Sequence, residues 1–573
     1  MKRIVLDLEG REQLRRLVDQ QPPEHDAAAI EALRIAKAIA DEHLIEAEGI
    51  NAGDLGSYKL CGYNACLYER AVFAGKVRRA IDAVLADDPI EVVHDLPDVR
   101  LAEAALGQAA EQRGGRWARE LDGNEIARLL EAKYPPVSSS PNFEPHEIGV
   151  APSNTDSSSR SEADIVAVAS MPNYLNPIIP TLEACMERGY TTALIAPAAL
   201  LRRASEGCRV IAAESLTSLA PDVQATIRDE QRLAELCRPF GIDVWPLMKR
   251  DIATMTTTVL ADAAKQTLAA RQLFTTLNPR VLITVRLRRA FERAVHLAAT
   301  EQGARTLLIP HGNLGSEPLR ELDDGPFNTA DRVCAWGADQ ARTIHAKLSA
   351  PTHPHTLVIT GNPAWDTLAP IAADRLAHRA AITKALNLDP KRPITVWTSQ
   401  NNSQDALDLV AASAANAKTQ LVLKIHPRED TSHYHTRYPD VPIAPANLNL
   451  HHLLAAADAV LTFSSTTAIE AILLGTPVIT VQTDSMRSLP RLVDAAAHGL
   501  PLARTRTDLD SIFAELDADP SHFRATHNAA TKRAAEDWAA FADTGTAASN
   551  VADQVEQLLH AQRTVQPPST TSV

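Results

Sequence analysis

Five short stretches carry residue types that could do chemistry. The first is LVLKIHPRED, Leu421 to Asp430. An apolar run ends there in Lys424, Ile425, His426, Pro427, Arg428 and Glu429, which puts cations and an imidazole where a strand would deliver its last residues. A phosphate or diphosphate leaving group wants cations and hydrogen-bond donors at such a place, because they stabilise charge that grows in the transition state. His426 is suited to give a hydrogen bond or a proton to a phosphate oxygen. Pro427 would stop the strand and fix the direction of the imidazole. The plainer alternative is a basic loop that only faces solvent.

The second stretch is LTFSSTTAIEA, Leu461 to Ala471. A strand ends, the hydroxyl residues Ser464, Ser465, Thr466 and Thr467 follow, and an amphipathic helix begins. Ser464 or Ser465 is a natural N-cap, and the N–H groups of a first turn form an anion site. Glu470 is either a capping-box partner or a ligand of ribose hydroxyls. Gly475 and Pro477 close the helix and launch the next strand. An ordinary capped helix would read the same way. The third stretch, Leu308 to Asn313, holds His311 and Gly312 at another strand end. A histidine there could deprotonate an acceptor hydroxyl, or be structural. The fourth, Thr360 to Asp366 (TGNPAWD), favours a tight turn and hinge duty, with Asp366 at a helix start. The fifth, Thr398 to Asn402, supplies Ser399, Gln400 and two asparagines that could line the same cleft.

These stretches need a scaffold of strands that end together. Short apolar runs at Ile165 to Ala169, Thr191 to Ala196, Val281 to Val285, Thr306 to Ile309 and Val333 to Trp336 alternate with helical patterns such as Asn176 to Arg188 and Phe291 to Gln302. A second round runs through Thr356 to Ile359, Ile394 to Thr398, Leu421 to Ile425, Ala459 to Phe463 and Pro477 to Val481. Its helices are expected at Ser403 to Ala417, Leu448 to Ala457 and Thr466 to Leu474. Such alternation argues for parallel sheets covered on both faces. Two successive doubly wound units would hold ligands at the carboxyl ends of their strands. The expected division is 1–135 for an N-terminal α/β module of unknown role and 136–163 for a Ser/Pro-rich linker. A first Rossmann-like, acceptor-side domain spans 164–350 and a second, nucleotide-donor domain 351–545. The end of a helix and a polar tail occupy 546–573.

The bulk numbers bound the function. The chain has 573 residues, 45% apolar and 22% charged, with a net charge of -14. That acidity argues against nucleic acid as a partner, since phosphate backbones are bound by basic surfaces. The six cysteines show no paired zinc-type spacing and read as free thiols. No apolar stretch reaches the roughly 20 residues of a membrane helix, and the start does not read as a signal peptide. There is no P-loop and no Gly-x-Gly-x-x-Gly. Asp508, Asp510, Asp517 and Asp519 form Asp-x-Asp pairs in a helical region, where they read as solvated faces rather than metal ligands. The site is expected to need no metal and no cofactor.

Taken together, Lys424-Ile425-His426-Pro427, Ser464-Ser465 and the Glu470…Gly475-Thr476-Pro477 helix resemble the donor half of GT-B glycosyltransferases. More narrowly, the chain is similar to the capsule, polysialic-acid and teichoic-acid polymer transferases, including the CDP-glycerol glycerophosphotransferases. The resemblance covers about Ile165 to Ala540. It implies a GT-B fold with an extra N-terminal module, and a catalytic His-Gly and His-Pro at His311-Gly312 and His426-Pro427. It further implies a donor phosphate on Ser464 and Ser465, with Lys424, Arg428, Thr466, Glu470, Gly312 and Ser399 around the donor. The family's acidic Asp/Glu-Asp/Glu-Gly motif is not recognisable after the linker; Asp7-Leu8-Glu9-Gly10 is only a loose echo in the wrong module, which leaves His311 as the better candidate for the base. The implied activity is transfer of a sugar or polyol phosphate from a CMP-, CDP- or UDP-linked donor to a glycan, lipid-linked or cell-surface polymer acceptor. The expected location is cytoplasmic, with peripheral attachment at the inner membrane face as a further expectation. The Gly361-Asn362-Pro363…Asp366 turn also resembles UDP-N-acetylglucosamine 2-epimerases, so an epimerase is one alternative. A non-catalytic nucleotide-sugar-binding or scaffolding protein is the other.

Overall fold

In Ile165-Val166-Ala167-Val168 every side chain is buried, which a strand achieves only when both faces of its sheet are covered. The computed structural model describes residues 162–217, 222–238, 252–254, 256–286, 290–312, 330–347, 356–400, 403–426, 429–483 and 493–561, with scattered positions among 2–93 and at 245 and 249. Strands β5 (Ile165–Val168), β6 (Thr192–Ala196), β7 (Arg209–Ala212), β9 (Val281–Thr284), β10 (Arg305–Leu308), β11 (Arg332–Ala335) and β12 (Leu357–Ile359) form one parallel sheet in the order β12-β11-β10-β9-β5-β6-β7. Strands β13 (Ile394–Thr398), β14 (Gln420–Lys424), β15 (Ala459–Thr462), β16 (Val478–Val481) and β17 (Leu502–Ala503) form a second, in the order β14-β13-β15-β16-β17. Both orders double back once, between β5 and β9 and between β13 and β15. These are the two common doubly wound arrangements, and in such sheets ligands favour the crevice at the carboxyl ends of that strand pair.

Alternation sorts the side chains. Ile165 and Ala167 pack with the helix Leu175–Glu187, while Val166 and Val168 pack with the helices Ala261–Leu277 and Ala290–Glu301. In the second sheet Val396, Val422, Val460 and Val478 face one core, and Trp397, Leu421, Leu423, Leu461 and Ile479 face the other. Period-two alternation with apolar residues on both faces is what helices on both sides require.

Three placements differ from the sequence reading. The run at Thr356 to Ile359, expected to open the second round, pairs in parallel with β11, Val333 opposite Leu357. An isolated apolar run carries no record of its neighbour, so only pairing decides. The helix Ala547–His560 does not trail off the second unit; Val551, Ala552, Val555, Leu558 and Leu559 fill the first unit's core. Asp366 caps this helix rather than its own, accepting the N–H groups of Ala547 and Ala548 at 3.0 and 2.8 Å. Nearby, Gly337 and Gly361 lie so close to the returning chain that a Cβ would meet Asp537 O at 2.5 Å and Ala540 O at 2.4 Å.

Of the N-terminal residues, β1 (Lys2–Val5) pairs in parallel with β4 (Ile90–Val93). Strand β2 (Ile45–Ala47) pairs antiparallel with β3 (Ile50–Asn51) and with β8 (Ala225–Ile227), and Arg232 clasps Glu42 at 2.6 and 2.8 Å. Most of the 1–135 module, Asp7 to Gly10 included, and the linker as far as 161 lie outside the described residues. Cys185, Cys237 and Cys334 are buried and Cys208 is half-buried, none of them in a disulfide.

The amino-terminal ends of the sheets share a device absent from the sequence reading. Three times a strand is preceded by a buried alanine and an aspartate: Ala163-Asp164, Ala330-Asp331 and Ala457-Asp458. Each aspartate accepts the backbone N–H of a residue at the start of the neighbouring strand: Asp164 that of Thr191 at 3.0 Å, Asp331 that of Thr306 at 2.8 Å, Asp458 that of Ile394 at 2.9 Å. Arginine stands against each. Asp331 holds Arg305 at 2.7 Å, and Asp458 holds Arg375 and Arg379 at 2.8 and 2.9 Å. Burial pulls the Asp164 carboxyl up, but the Thr191 bonds and the Arg280 charge leave it below its ordinary range.

Candidate functional site

The second sheet's crevice opens between the ends of β13 and β15. Ser399 and Gln400 follow β13, and each holds a different neighbour. The Ser399 hydroxyl accepts the His426 N–H at 2.7 Å and donates to the Glu429 carboxylate. Tyr434, from the helix Thr431–Arg437, donates to the other Glu429 oxygen at 3.1 Å. Burial, then the Glu429 charge, pushes the Tyr434 phenol up to about 12. A backbone bond from Glu429 N to His426 O at 2.9 Å closes the turn. His426 itself is exposed at the strand end.

On the other side, the Gln400 side-chain oxygen accepts the Ser464 N–H at 2.9 Å, bridging the ends of β13 and β15. The Ser464 hydroxyl is buried and accepts the Val493 N–H at 3.3 Å. Ser465, not Ser464, does the local capping: its hydroxyl accepts the Thr467 N–H at 3.3 Å and meets the Thr467 hydroxyl. Thr466 occupies the N-cap position of the helix Thr467–Leu473 without a side-chain bond of its own. Glu470 makes no capping box. Its carboxylate lies 3.7 Å from His451, on the helix Leu450–Ala456.

Lys424 has an internal job. Its ammonium donates to the carbonyls of Pro445 and Leu448 at 3.1 and 3.5 Å, pinning the loop before the helix Leu450–Ala456, and burial lowers its pKa. Pro427 and Arg428 lie outside the described residues. Thus the structure joins His426, Ser399 and Ser464 through hydrogen bonds, with Glu429 and Gln400 as the intermediaries. The sequence reading did not single these two out for that role.

The first sheet's crevice lies between the ends of β5 and β9. Ser170 follows β5 and donates to the buried carboxylate of Glu292. Arg286 follows β9, and its guanidinium meets His311 Nε2 at 3.1 Å. A guanidinium has donors only, so this Nε2 is the ring's acceptor, and neutral His311 carries its proton on Nδ1. The Tyr174 ring meets the imidazole edge-on, centroids 5.0 Å apart. The His311-Gly312 turn is tied down on both sides. Trp336 Nε1 donates to Pro310 O at 2.8 Å, and Gln340 Nε2 to Gly312 O at 3.1 Å. Trp336 belongs to the second unit's core and stacks edgewise on Trp365, so the turn is braced from both units.

Three of the four Asp-x-Asp residues hold backbone N–H groups. Asp508 completes a capping box with Thr505, Asp517 accepts the Lys418 N–H at 2.7 Å, and Asp519 caps the helix Pro520–Trp538. Among the described residues no helix is long and apolar enough to cross a membrane.

Two Rossmann-like units with crevices at their switch points define the class of architecture. No known family profile matches the chain, and no curated protein matches it either. Among solved structures it is similar to the wall teichoic acid polymerase TagF, at 11% identity and a TM-score of 0.43 over 69% of this chain and 89% of that one. It is also similar to a UDP-GlcNAc 2-epimerase from Neisseria meningitidis bound to UDP-GlcNAc, at 12% identity and a TM-score of 0.45 over 69% and 99%. The calicheamicin glycosyltransferase CalG4 is similar at 14% identity and a TM-score of 0.41 over 71% and 100%.

Proposed function

We propose that the protein is a transferase that moves a sugar or polyol-phosphate unit from a nucleotide-activated donor to a glycan or cell-surface polymer acceptor. The observation that carries this reading is the convergence at the β13/β15 switch point. There the exposed His426, the Ser465-Thr466-Thr467 turn and the Ser399-Gln400 strand end meet in the crevice where doubly wound sheets bind their ligands. In this reading the donor nucleotide's phosphates lie on the hydroxyl turn, and His426 gives a hydrogen bond or proton to the leaving phosphate. Glu470 with His451 would meet the ribose.

His311 is the candidate base of the first unit. The acceptor hydroxyl would reach its Nε2 lone pair only by taking the place of Arg286, so base catalysis here includes displacement of a guanidinium. A group on the acceptor or donor that attracts Arg286 would do this, which makes a phosphate near the reacting hydroxyl favourable. Location at the inner membrane face through a lipid-linked acceptor belongs to the same reading, and a wholly soluble distribution on cell fractionation would count against it.

The test is a thermal-shift screen of CMP, CDP, UDP, GDP and their common conjugates on the full chain and on His426→Ala combined with Ser464→Ala. A ligand bound at a hundred times its Kd stabilises by about 2.7 kcal/mol, so one nucleotide should stand out on the wild type and fade on the double variant. Transfer from the stabilising conjugate to a glycan then separates a transferase from an epimerase, which would change the sugar without an acceptor. Tight binding without turnover would favour the scaffolding alternative. No shift with any nucleotide would remove the transferase reading's main support.

A further inference from the structure

We propose that Gln400 is a phosphate-contacting residue that also sets the spacing of the crevice, with Glu429 as the positioning residue for its other wall; this rests on the nucleotide-donor reading above. A backbone N–H can only donate, so the Gln400 atom that meets Ser464 N at 2.9 Å is the amide oxygen. The NH2 end of the same side chain has no hydrogen-bond partner among the described residues, and the residue is half-buried at the switch point. Gln400 is itself fixed at the backbone, where its N–H meets the Ser403 hydroxyl at 3.2 Å and its carbonyl accepts that hydroxyl at 2.6 Å. The side chain therefore grips β15's turn with one end and offers two N–H donors with the other.

Charge argues the same way. A carboxylate at position 400 would hold the Ser464 N–H as firmly, because an ionised acceptor makes the stronger bond. The neutral amide does that job without placing negative charge in the crevice, which is what an anionic ligand needs. Both oxygens of Glu429 are engaged, by Ser399 and by Tyr434, on the His426 side. Its charge is used to fix the His426 turn.

The experiment compares wild type, Gln400→Glu, Gln400→Met and Glu429→Gln as full chains, by melting alone and by calorimetric titration with CMP, CDP and UDP. Gln400→Glu keeps the acceptor for Ser464, so its melting temperature without ligand should stay within about 2 °C of wild type. Its affinity for the best nucleotide should fall about tenfold or more, and further for CDP than for CMP, because each added phosphate meets the new charge. Gln400→Met should lose both stability and affinity. Glu429→Gln should lower affinity less than Gln400→Glu does, and about equally for CMP and CDP. If Gln400→Glu binds CDP as wild type does, the phosphate lies elsewhere and the proposal is overturned while the nucleotide reading stands. If no nucleotide binds wild type, the nucleotide reading fails first and this inference with it.

Discussion

At the amino-terminal ends of the strands, Asp164, Asp331 and Asp458 each accept a neighbouring strand's N–H and stand against arginine. At the carboxyl ends of the second sheet the corresponding links between strands run through a serine hydroxyl and a glutamine amide. About five residues of strand, roughly 16 Å, separate the two constructions. Around Asp458 the matching is dense. Arg375 and Arg379 share the carboxylate, Arg379 also meets Ala456 O at 3.0 Å, and Arg524 reaches Ala457 O at 3.0 Å and Gly475 O at 2.7 Å. Burial, then the Arg375 charge, lowers the Arg524 pKa to about 10. These carbonyls end two helices, whose partial negative charge suits guanidinium groups. The difference teaches that the strands are fastened at one end by aspartates paired with arginine, most tightly at Asp458. The other end has neutral links, and there the Gln400 NH2 group has no hydrogen-bond partner among the described residues.

That division of labour can be broken from either side. Asp458→Ala leaves two arginines and the Ile394 N–H facing an uncompensated hole, and breaking a buried pair from one side costs about 3–5 kcal/mol. Urea unfolding should show a loss of this size, and any nucleotide increment in melting should survive at temperatures where the variant is folded. Gly337→Ala forces a Cβ against the backbone of Asp537 and Trp538. Overpacking of this kind costs about 1–3 kcal/mol, again readable by urea unfolding and again without loss of ligand. Ser399→Ala should do the reverse. It removes a buried hydroxyl that serves two partners, for about 1–3 kcal/mol in unfolding, yet it should abolish most of the nucleotide-induced shift by freeing the His426 turn. If Ser399→Ala instead cost as much as Asp458→Ala and spared the ligand, the two edges would not differ in kind.

A different kind of effect is one of pH, in the first unit. Burial, with help from the Arg293 charge, lowers the His296 pKa from 6.5 to about 4. The unfolded chain therefore takes up a proton between about pH 6.5 and 4 that the folded chain refuses, so this residue's contribution to stability is lost as pH falls through that window. His296→Gln should flatten that part of the stability curve, measured by chemical unfolding at pH 4.5, 5.5 and 7.

Much of this was legible in the sequence, and the rest was hidden for physical reasons. The apolar runs named nearly every strand of the two sheets because buried parallel strands have few other compositions. Strand order was not legible, so β12 was assigned to the wrong sheet, and Gln400 could be seen only as one of several cleft amides. Its bridge to Ser464 joins residues 64 apart and exists only because β13 lies beside β15. The Ala-Asp dipeptides are a readable signal of these strand starts: each stands directly before its strand. Lys424 shows what charge alone leaves out: its residue type suggests a phosphate, and its geometry also serves the loop at Pro445 to Leu448.

The helix Ala547–His560 has a consequence in time. The first unit's sheet is complete when β12 leaves the ribosome, but its core lacks Val551, Val555 and Leu559 until about 200 residues later. At about 5–20 residues per second that interval is roughly 10–40 s. During it the nascent chain carries a finished sheet with one apolar flank uncovered, while the second unit is made and folds. The helix Ala547–His560 is thus the piece that seals the first unit, long after its sheet is made.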